Sequence, residues 1–411
     1  MALVLLPIGG HLRKFGTAPA CGELFDAGLS EERGILVIVI RSVQLREIRL
    51  PLVHYFETSF GRTYERKIIL VRLESANGVG YGECTAAEDP LYNSETTETA
   101  WHILSDFLIP TLLGKDLETA GDVAALFSPV RGNRMAKAAL ETAVWELESR
   151  LRGVPLSKLV GGARREIACG VSIGIQESLD ALLAKVRKEV QDGYQRVKIK
   201  IKPGWEWEPL QRIREEFPDL RLMADANSAF SLADIPLFRK LDRLGLMMIE
   251  QPLAHDDLVD HAVLQREIET PICLDESIHH AEDGRKAVEM GSCRIINVKL
   301  GRVGGFAEAI KLNQYCAGHG IPIWCGGMLE SGVGRAHNIA MSTLAGFVLP
   351  GDVSASKRYY LEDTIIPPVT VTPQGTIRVP EGPGIGYELN WDLIGRATVR
   401  TRDFKLGNGG N

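Results

Sequence analysis

Residues 196–201 read RVKIKI, a short apolar strand carrying Lys198 and Lys200 near its end. Alternation along a strand places both lysines on one face. The same form recurs at 220–226 (LRLMADA), 247–251 (MMIEQ), 272–275 (ICLD) and 294–299 (RIINVK). Similar apolar runs stand at 167–173 (IACGVSI) and 321–325 (IPIWC), with an eighth near 347–351 (FVLPG). Amphipathic helical stretches separate them, which is the rhythm of parallel βαβ units. Eight strands in about 185 residues predict a closed (β/α)8-type barrel; an open doubly wound sheet more often has five or six.

Lys200, Asp225, Glu250, Asp275 and Lys299 each follow the last apolar residues of consecutive strands, one βα unit apart. They therefore ring the C-terminal mouth of the barrel, where barrel enzymes keep their chemistry. Singly, each reads as a helix cap or a solvated lysine. Five at equivalent places read as a site. Three converging carboxylates repel, and burying even one unpaired is costly, so a divalent ion is expected. The donors are hard oxygens without Cys or His, which suits one Mg²⁺ or Mn²⁺. A free lysine, with a pKa near 10.4, is a poor base at neutral pH. Lys198 and the ion both disfavour charge on Lys200, which makes a neutral Lys200 the expected base. It would take the proton α to a carboxylate, with Lys299 across the barrel stabilising the enediolate. The substrate is thus expected to be a small carboxylate.

Working outward, residues 41–162 read as an α+β domain. Strands are predicted around 43–52 and at 67–74 (KIILVRLE), joined by a loop at 54–63; a Gly-rich turn at 78–83 (GVGYGE) leads into a third. Helices are predicted at 94–108 and 134–151. The second has Ala138, Ala139, Ala143, Val144, Leu147 and Leu151 at helical spacing and stops at Gly153 and Pro155. Residues 353–411 lack the barrel rhythm, are rich in proline, and are expected to pack back on this domain. Residues 1–40 fit neither pattern and read as an N-terminal extension. The expected order is extension (1–40), α+β capping domain (41–162), barrel (163–352) and C-terminal segment (353–411).

The 411 residues are 45% hydrophobic and 24% charged, which excludes disorder over the bulk of the chain. The 42 glycines have no three-residue period, which excludes collagen-like sequence. A net charge of −6 argues against a nucleic-acid surface. The seven cysteines (Cys21, Cys84, Cys169, Cys273, Cys293, Cys316, Cys325) are odd in number and form no CxxC pair. They point to a reducing, cytoplasmic setting. The apolar run 35–40 is far short of the ~20 residues that span a bilayer. Arg13 and Lys14 follow the apolar run 1–8, where a secretory signal places charge before it. No membrane association is expected. GRVGG at 301–305 is not a dinucleotide fingerprint, and His279-His280 are not needed beside three carboxylates.

With these residues in place, the sequence resembles the enolase superfamily, whose lysine-plus-Mg²⁺ sites are a known pattern. Within it the likeness is to the muconate lactonizing enzyme subgroup, and more closely to the o-succinylbenzoate synthase / N-acylamino acid racemase family. The segments that carry it include FETSFGRTYERKIILVRL (56–73), KIKIKPGWEWEP (198–209), ADANSAF (224–230), IEQPL (249–253), PICLDESI (271–278), INVKLGRVGG (296–305), IPIWCGGMLESGVGRAHN (321–338) and PGDVSAS (350–356). Leu300 departs from an expected proline. The resemblance implies a barrel with a capping domain built from both chain ends. It implies Asp225, Glu250 and Asp275 as metal ligands, Lys200 as acid/base, Lys198 as its companion and Lys299 as the opposing lysine. It implies Asn227 near the substrate carboxylate, a loop holding Phe56, Ser59 and Phe60 closing over the site, and Gly326, Gly327 and Met328 lining the far wall. Arg302 matches racemase-capable members and is placed with the substrate-binding residues. A homo-oligomer is expected.

Two reactions fit. One is dehydration of 2-succinyl-6-hydroxy-2,4-cyclohexadiene-1-carboxylate to o-succinylbenzoate, a step of menaquinone synthesis. The other is racemisation of N-acylamino acids; both can coexist in one protein of this type. Strand 7 ends in Cys325-Gly326-Gly327, with no histidine for a mandelate-racemase-like dyad, and no DxD follows Met328 as in dipeptide epimerases. Another cycloisomerase-like reaction is a third reading. A non-catalytic barrel would be expected to have lost one of the five charged strand ends, and none is lost.

Overall fold

In the computed structural model, which describes residues 36–407, the fold is α/β: a barrel of parallel strands and a separate domain around an antiparallel sheet. Seven barrel strands pair in sequence order: Gly170–Ile173, Arg196–Lys200, Leu222–Asp225, Ile249–Glu250, Ile272–Leu274, Ile295–Val298 and Ile323–Cys325. The eighth predicted strand is not continuous. Phe347 bridges Ile323 and Gly351 bridges Cys169, both parallel. Gly170 N donates to Gly351 O at 2.6 Å and Asp352 N to Cys325 O at 2.8 Å. Pro350 lies between these bridges and has no N–H for a ladder, so the seam between strands 7 and 1 closes with isolated bonds. Met223, Met248, Cys273, Ile295 and Trp324 form one buried apolar cluster, each lying one to three residues before a strand end. This layer is the floor on which the charged mouth stands.

The antiparallel sheet contains Ser42–Thr58, Gly61–Glu74 and Val79–Cys84. The expected loop at 54–63 is instead the tip of a long hairpin: Phe56 pairs with Thr63 and Thr58 with Gly61, after a register shift beyond Pro51. The expected Gly-rich turn is also strand. A Cβ on Gly80 would stand 2.2 Å from Ala143 O, and one on Gly82 2.0 Å from Ala139 O. These glycines let the helix Arg134–Arg152 lie directly on the strand, through its alanine face. That helix ends at Gly153, whose φ of 66° is a left-handed stop. Near the chain's other end, strand Thr398–Lys405 pairs with Ser42–Thr58 on the edge of the same sheet. The N-terminal extension up to residue 35, Cys21 and the last four residues lie outside the described residues.

Candidate active site

Register brings the expected charges together. Lys200 pairs with Asp225 across strands 2 and 3, and Asp225 with Glu250 across strands 3 and 4. Lys200 Nζ lies 2.6 Å from Asp225 Oδ2 and 2.6 Å from Asn227 Oδ1. Lys198 Nζ sits between Glu250 Oε2 (2.9 Å) and Asp225 Oδ2 (3.1 Å). On the opposite side, Lys299 Nζ reaches Asp275 Oδ2 at 2.7 Å. All seven side chains are buried.

Among the described residues, no three Asp, Glu, His or Cys side chains are grouped so as to hold a metal ion. The physical reason is that each carboxylate is held by a cation of the chain itself. Asp225 and Glu250 share Lys198, while Asp275 is turned onto Lys299 and Arg302. The donor chemistry nevertheless suits a hard cation. Burial, and then Asp225 beside it, pushes the Glu250 carboxyl above its usual range, although Lys198 and Lys200 oppose this. The repulsion between Glu250 and Asp225 that remains after the lysines are counted is what a bound cation would relieve.

The two lysines on opposite walls differ. Lys200 is pushed below the ordinary lysine range, first by burial and further by Lys198, against the pull of Asp225. Desolvation is thus a larger cause than the neighbouring charge expected from the sequence. Lys299 is also penalised by burial, but Tyr92, Glu250 and Glu276 outweigh this and hold it as a cation.

Several supporting residues escaped the sequence reading. Asp352 spans Arg196 Nη1 (2.7 Å) and Lys198 Nζ (2.8 Å). It follows the broken eighth strand, so the rule that found the other strand-end charges would have found it. Asn297, two residues before Lys299 on the same strand, donates to Glu250 Oε1 at 2.6 Å. Glu276 accepts from Asn227 Nδ2 at 2.8 Å. Tyr92 comes from the capping domain with no sequence signal: its hydroxyl donates to Asp275 Oδ1 at 3.0 Å and lies 3.0 Å from Lys299 Nζ.

The expected substrate-side residues are placed as follows. Asn227 has φ 42° and Gln251 φ 37°, left-handed positions just after the carboxylate-bearing strand ends. Ser59 Oγ donates to Asn227 O at 3.2 Å, which lays the hairpin tip against the barrel mouth. Phe56 is half-buried and Phe60 is 38% exposed beside Ser59. A Cβ on Gly326 would collide with Asn297 and Lys299, and one on Gly327 would approach Asp352. Met328 N donates to Glu330 Oε1 at 2.9 Å. Arg302 differs from its expected role. It is 1% exposed, and its guanidinium is taken up by the carbonyls of Ile278 and Asn297, by Tyr92 and by Asp275. Each of its nitrogens is engaged inside the fold, and it supports Asp275 from behind.

Comparison with known proteins gives the family of this fold. Residues 40–161 match the mandelate racemase / muconate lactonizing enzyme N-terminal domain, and residues 181–393 the enolase C-terminal domain-like family. The chain is 52% identical over 370 residues to a protein of Geobacillus kaustophilus named o-succinylbenzoate synthase, covering 90% of this chain and 98% of that protein. The chain belongs to the o-succinylbenzoate synthase / N-acylamino acid racemase family of the enolase superfamily. A second family member, named N-succinylamino acid racemase, from Thermus thermophilus, is 47% identical over 88% of this chain and 98% of its own length. A solved enolase-superfamily structure from Listeria innocua superposes with a TM-score of 0.87 at 41% identity, covering 90% of this chain and 99% of that one.

Proposed function

We propose that this chain catalyses the syn dehydration of 2-succinyl-6-hydroxy-2,4-cyclohexadiene-1-carboxylate to o-succinylbenzoate, a step of menaquinone synthesis. The arrangement that carries this reading is a pair of buried lysines on opposite walls of the barrel mouth, Lys200 against Asp225 and Lys299 against Asp275 and Tyr92. The reaction needs one base and one fixed positive charge. Neutral Lys200 takes the proton from the carbon bearing the carboxylate. The electron pair moves into the enediolate, which faces the Lys299 ammonium. The enediolate then expels the ring hydroxyl, which takes the proton back from Lys200 and leaves as water. One lysine serves both transfers, so both occur on one face.

Asp225, Glu250 and Asp275 are the residues that would hold Mg²⁺ or Mn²⁺. Such an ion, when bound, neutralises the substrate carboxylate and acidifies the adjacent C–H. Lys198, fixed by Asp352, keeps the Asp225–Glu250 pair in place. A cytoplasmic location is supported by six free, buried cysteines among the described residues. Among those residues no helix is long and apolar enough to cross a membrane. We expect a homo-oligomer.

A second reading is N-acylamino acid racemisation, favoured by the amine on the opposite wall and by the Thermus relative. It requires Lys299 to surrender a proton, against the charges that hold it. Both reactions should be assayed side by side with Mg²⁺ or Mn²⁺. Dehydration faster than racemisation is expected; no dehydration with either ion would overturn the proposal.

A further inference from the structure

Arg66 lies in strand Gly61–Glu74 of the capping domain and is 5% exposed. Its one hydrogen bond among the described residues runs from Nη2 to the Thr85 carbonyl at 2.7 Å. Its Nε is buried without a partner. No carboxylate of the described residues pairs with it. Burying Nε without a partner is costly, and the Nη1 donors are taken by no group of the described residues. Arg302, equally buried, shows the usual solution, with every nitrogen engaged.

Arg66 also lines a cavity of about 400 Å³ whose wall includes Phe60, Tyr64 and Leu91 and ends at Tyr92. The Tyr92 hydroxyl is 3.0 Å from Lys299 Nζ, so one residue of the cavity wall also touches the opposing lysine of the catalytic mouth. The other charges of the lining are accounted for. Arg62 pairs with Glu57, Glu65 with Arg49 and Glu88 with Lys67, while Asp89 is exposed to solvent. The cavity thus offers apolar and aromatic walls with one buried cation lacking a counter-ion.

We propose that Arg66 is a specificity residue that binds the terminal carboxylate of a succinyl arm, while the other carboxylate of the substrate lies at the barrel mouth. The proposal rests on the dehydration reading, whose substrate and product both carry two carboxylates joined through such an arm. A guanidinium fork matches a carboxylate with paired, charge-assisted hydrogen bonds. The apolar walls suit the methylenes between.

The test is calorimetric binding, with Mg²⁺ present, of o-succinylbenzoate and of 2-butanoylbenzoate, which lacks the terminal carboxylate. Wild type should favour o-succinylbenzoate. Arg66→Met should weaken o-succinylbenzoate about 10- to 100-fold and leave 2-butanoylbenzoate unchanged. Arg66→Lys should restore part of the difference. If both ligands weaken equally in Arg66→Met, or neither changes, the assignment is overturned. If Arg66→Met does not fold, Arg66→Lys decides: unaltered preference for o-succinylbenzoate over 2-butanoylbenzoate overturns it. Wild type binding neither ligand would instead sink the dehydration reading on which the proposal stands.

Discussion

Asp352 Oδ2 lies 2.8 Å from Lys198 Nζ, and through this contact the last barrel segment supports the second strand. The other oxygen of the same carboxylate is 2.7 Å from Arg196 Nη1. Both cations also lie over the Trp324 ring, at 4.8 Å for Arg196 and 4.9 Å for Lys198. One carboxylate thereby ties the apolar floor to the charged mouth and bonds across the seam that Pro350 interrupts.

Replacing Asp352 by Asn leaves two buried cations facing an amide. Removing one partner of a buried ion pair typically costs about 3–5 kcal/mol. Asp352→Asn should lose that order of stability in urea titration and lower kcat more than Lys202→Ala, a half-buried surface pair. Wild-type stability would show that Lys198 needs no such anchor.

Lys200→Ala should abolish dehydration and any racemisation while the protein remains folded by circular dichroism. Residual turnover near the wild-type rate would remove Lys200 as the base.

Asp275 holds Arg302 as well as Lys299. Asp275→Asn should therefore lose Mg²⁺-dependent activity and also destabilise the metal-free protein by about 3–5 kcal/mol. Removal of metal by EDTA should silence the wild type, with recovery on adding Mg²⁺ or Mn²⁺. Full activity after exhaustive chelation would contradict the role given to the carboxylates.

Gly174 seats the hairpin. A Cβ there would stand 2.8 Å from Glu57 O and 2.9 Å from Glu57 N, both backbone atoms that cannot rotate away. Gly174→Ala should displace the Ser59–Phe60 tip and raise KM roughly tenfold, about 1.4 kcal/mol of lost substrate binding. An unchanged KM would show that the tip does not contact substrate.

Glu83 of the capping domain accepts from Ser331 N, Ser331 Oγ and Gly334 N of the barrel. Burial, opposed by these bonds, pushes its carboxyl up to about 7. The folded state thus keeps a proton that the unfolded chain loses near pH 4.5, so this group's contribution falls as pH rises through that window. Relative to Glu83→Gln, wild type should lose about 3 kcal/mol between pH 4.5 and pH 7.5. A parallel pair of pH–stability curves would refute the shifted carboxyl.

Much of the site was legible because it is periodic. Lys198, Lys200, Asp225, Glu250, Asp275 and Lys299 sit at strand ends in successive βα units, and a repeat in sequence becomes a ring in space. Asp352 obeys the same rule but was hidden by a strand that proline breaks. Gly80 and Gly82 were mistaken for a turn because a glycine that seats a helix and one that bends a chain look alike in one dimension. Tyr92 had no signal at all, since its meaning lies in the Asp275 and Lys299 that the barrel brings opposite it.

The amino-acid order alone determined the barrel, the strand-end charges and the chemistry they support, because parallel pairing converts regular spacing directly into adjacency. Only the tertiary structure decided how those charges are partnered: Lys198 between Asp225 and Glu250, Asp275 drawn to Arg302, Lys200 toward neutral and Lys299 charged. Desolvation and ion pairing depend on distances between segments far apart in the chain, and those distances exist only once both domains have closed on one another.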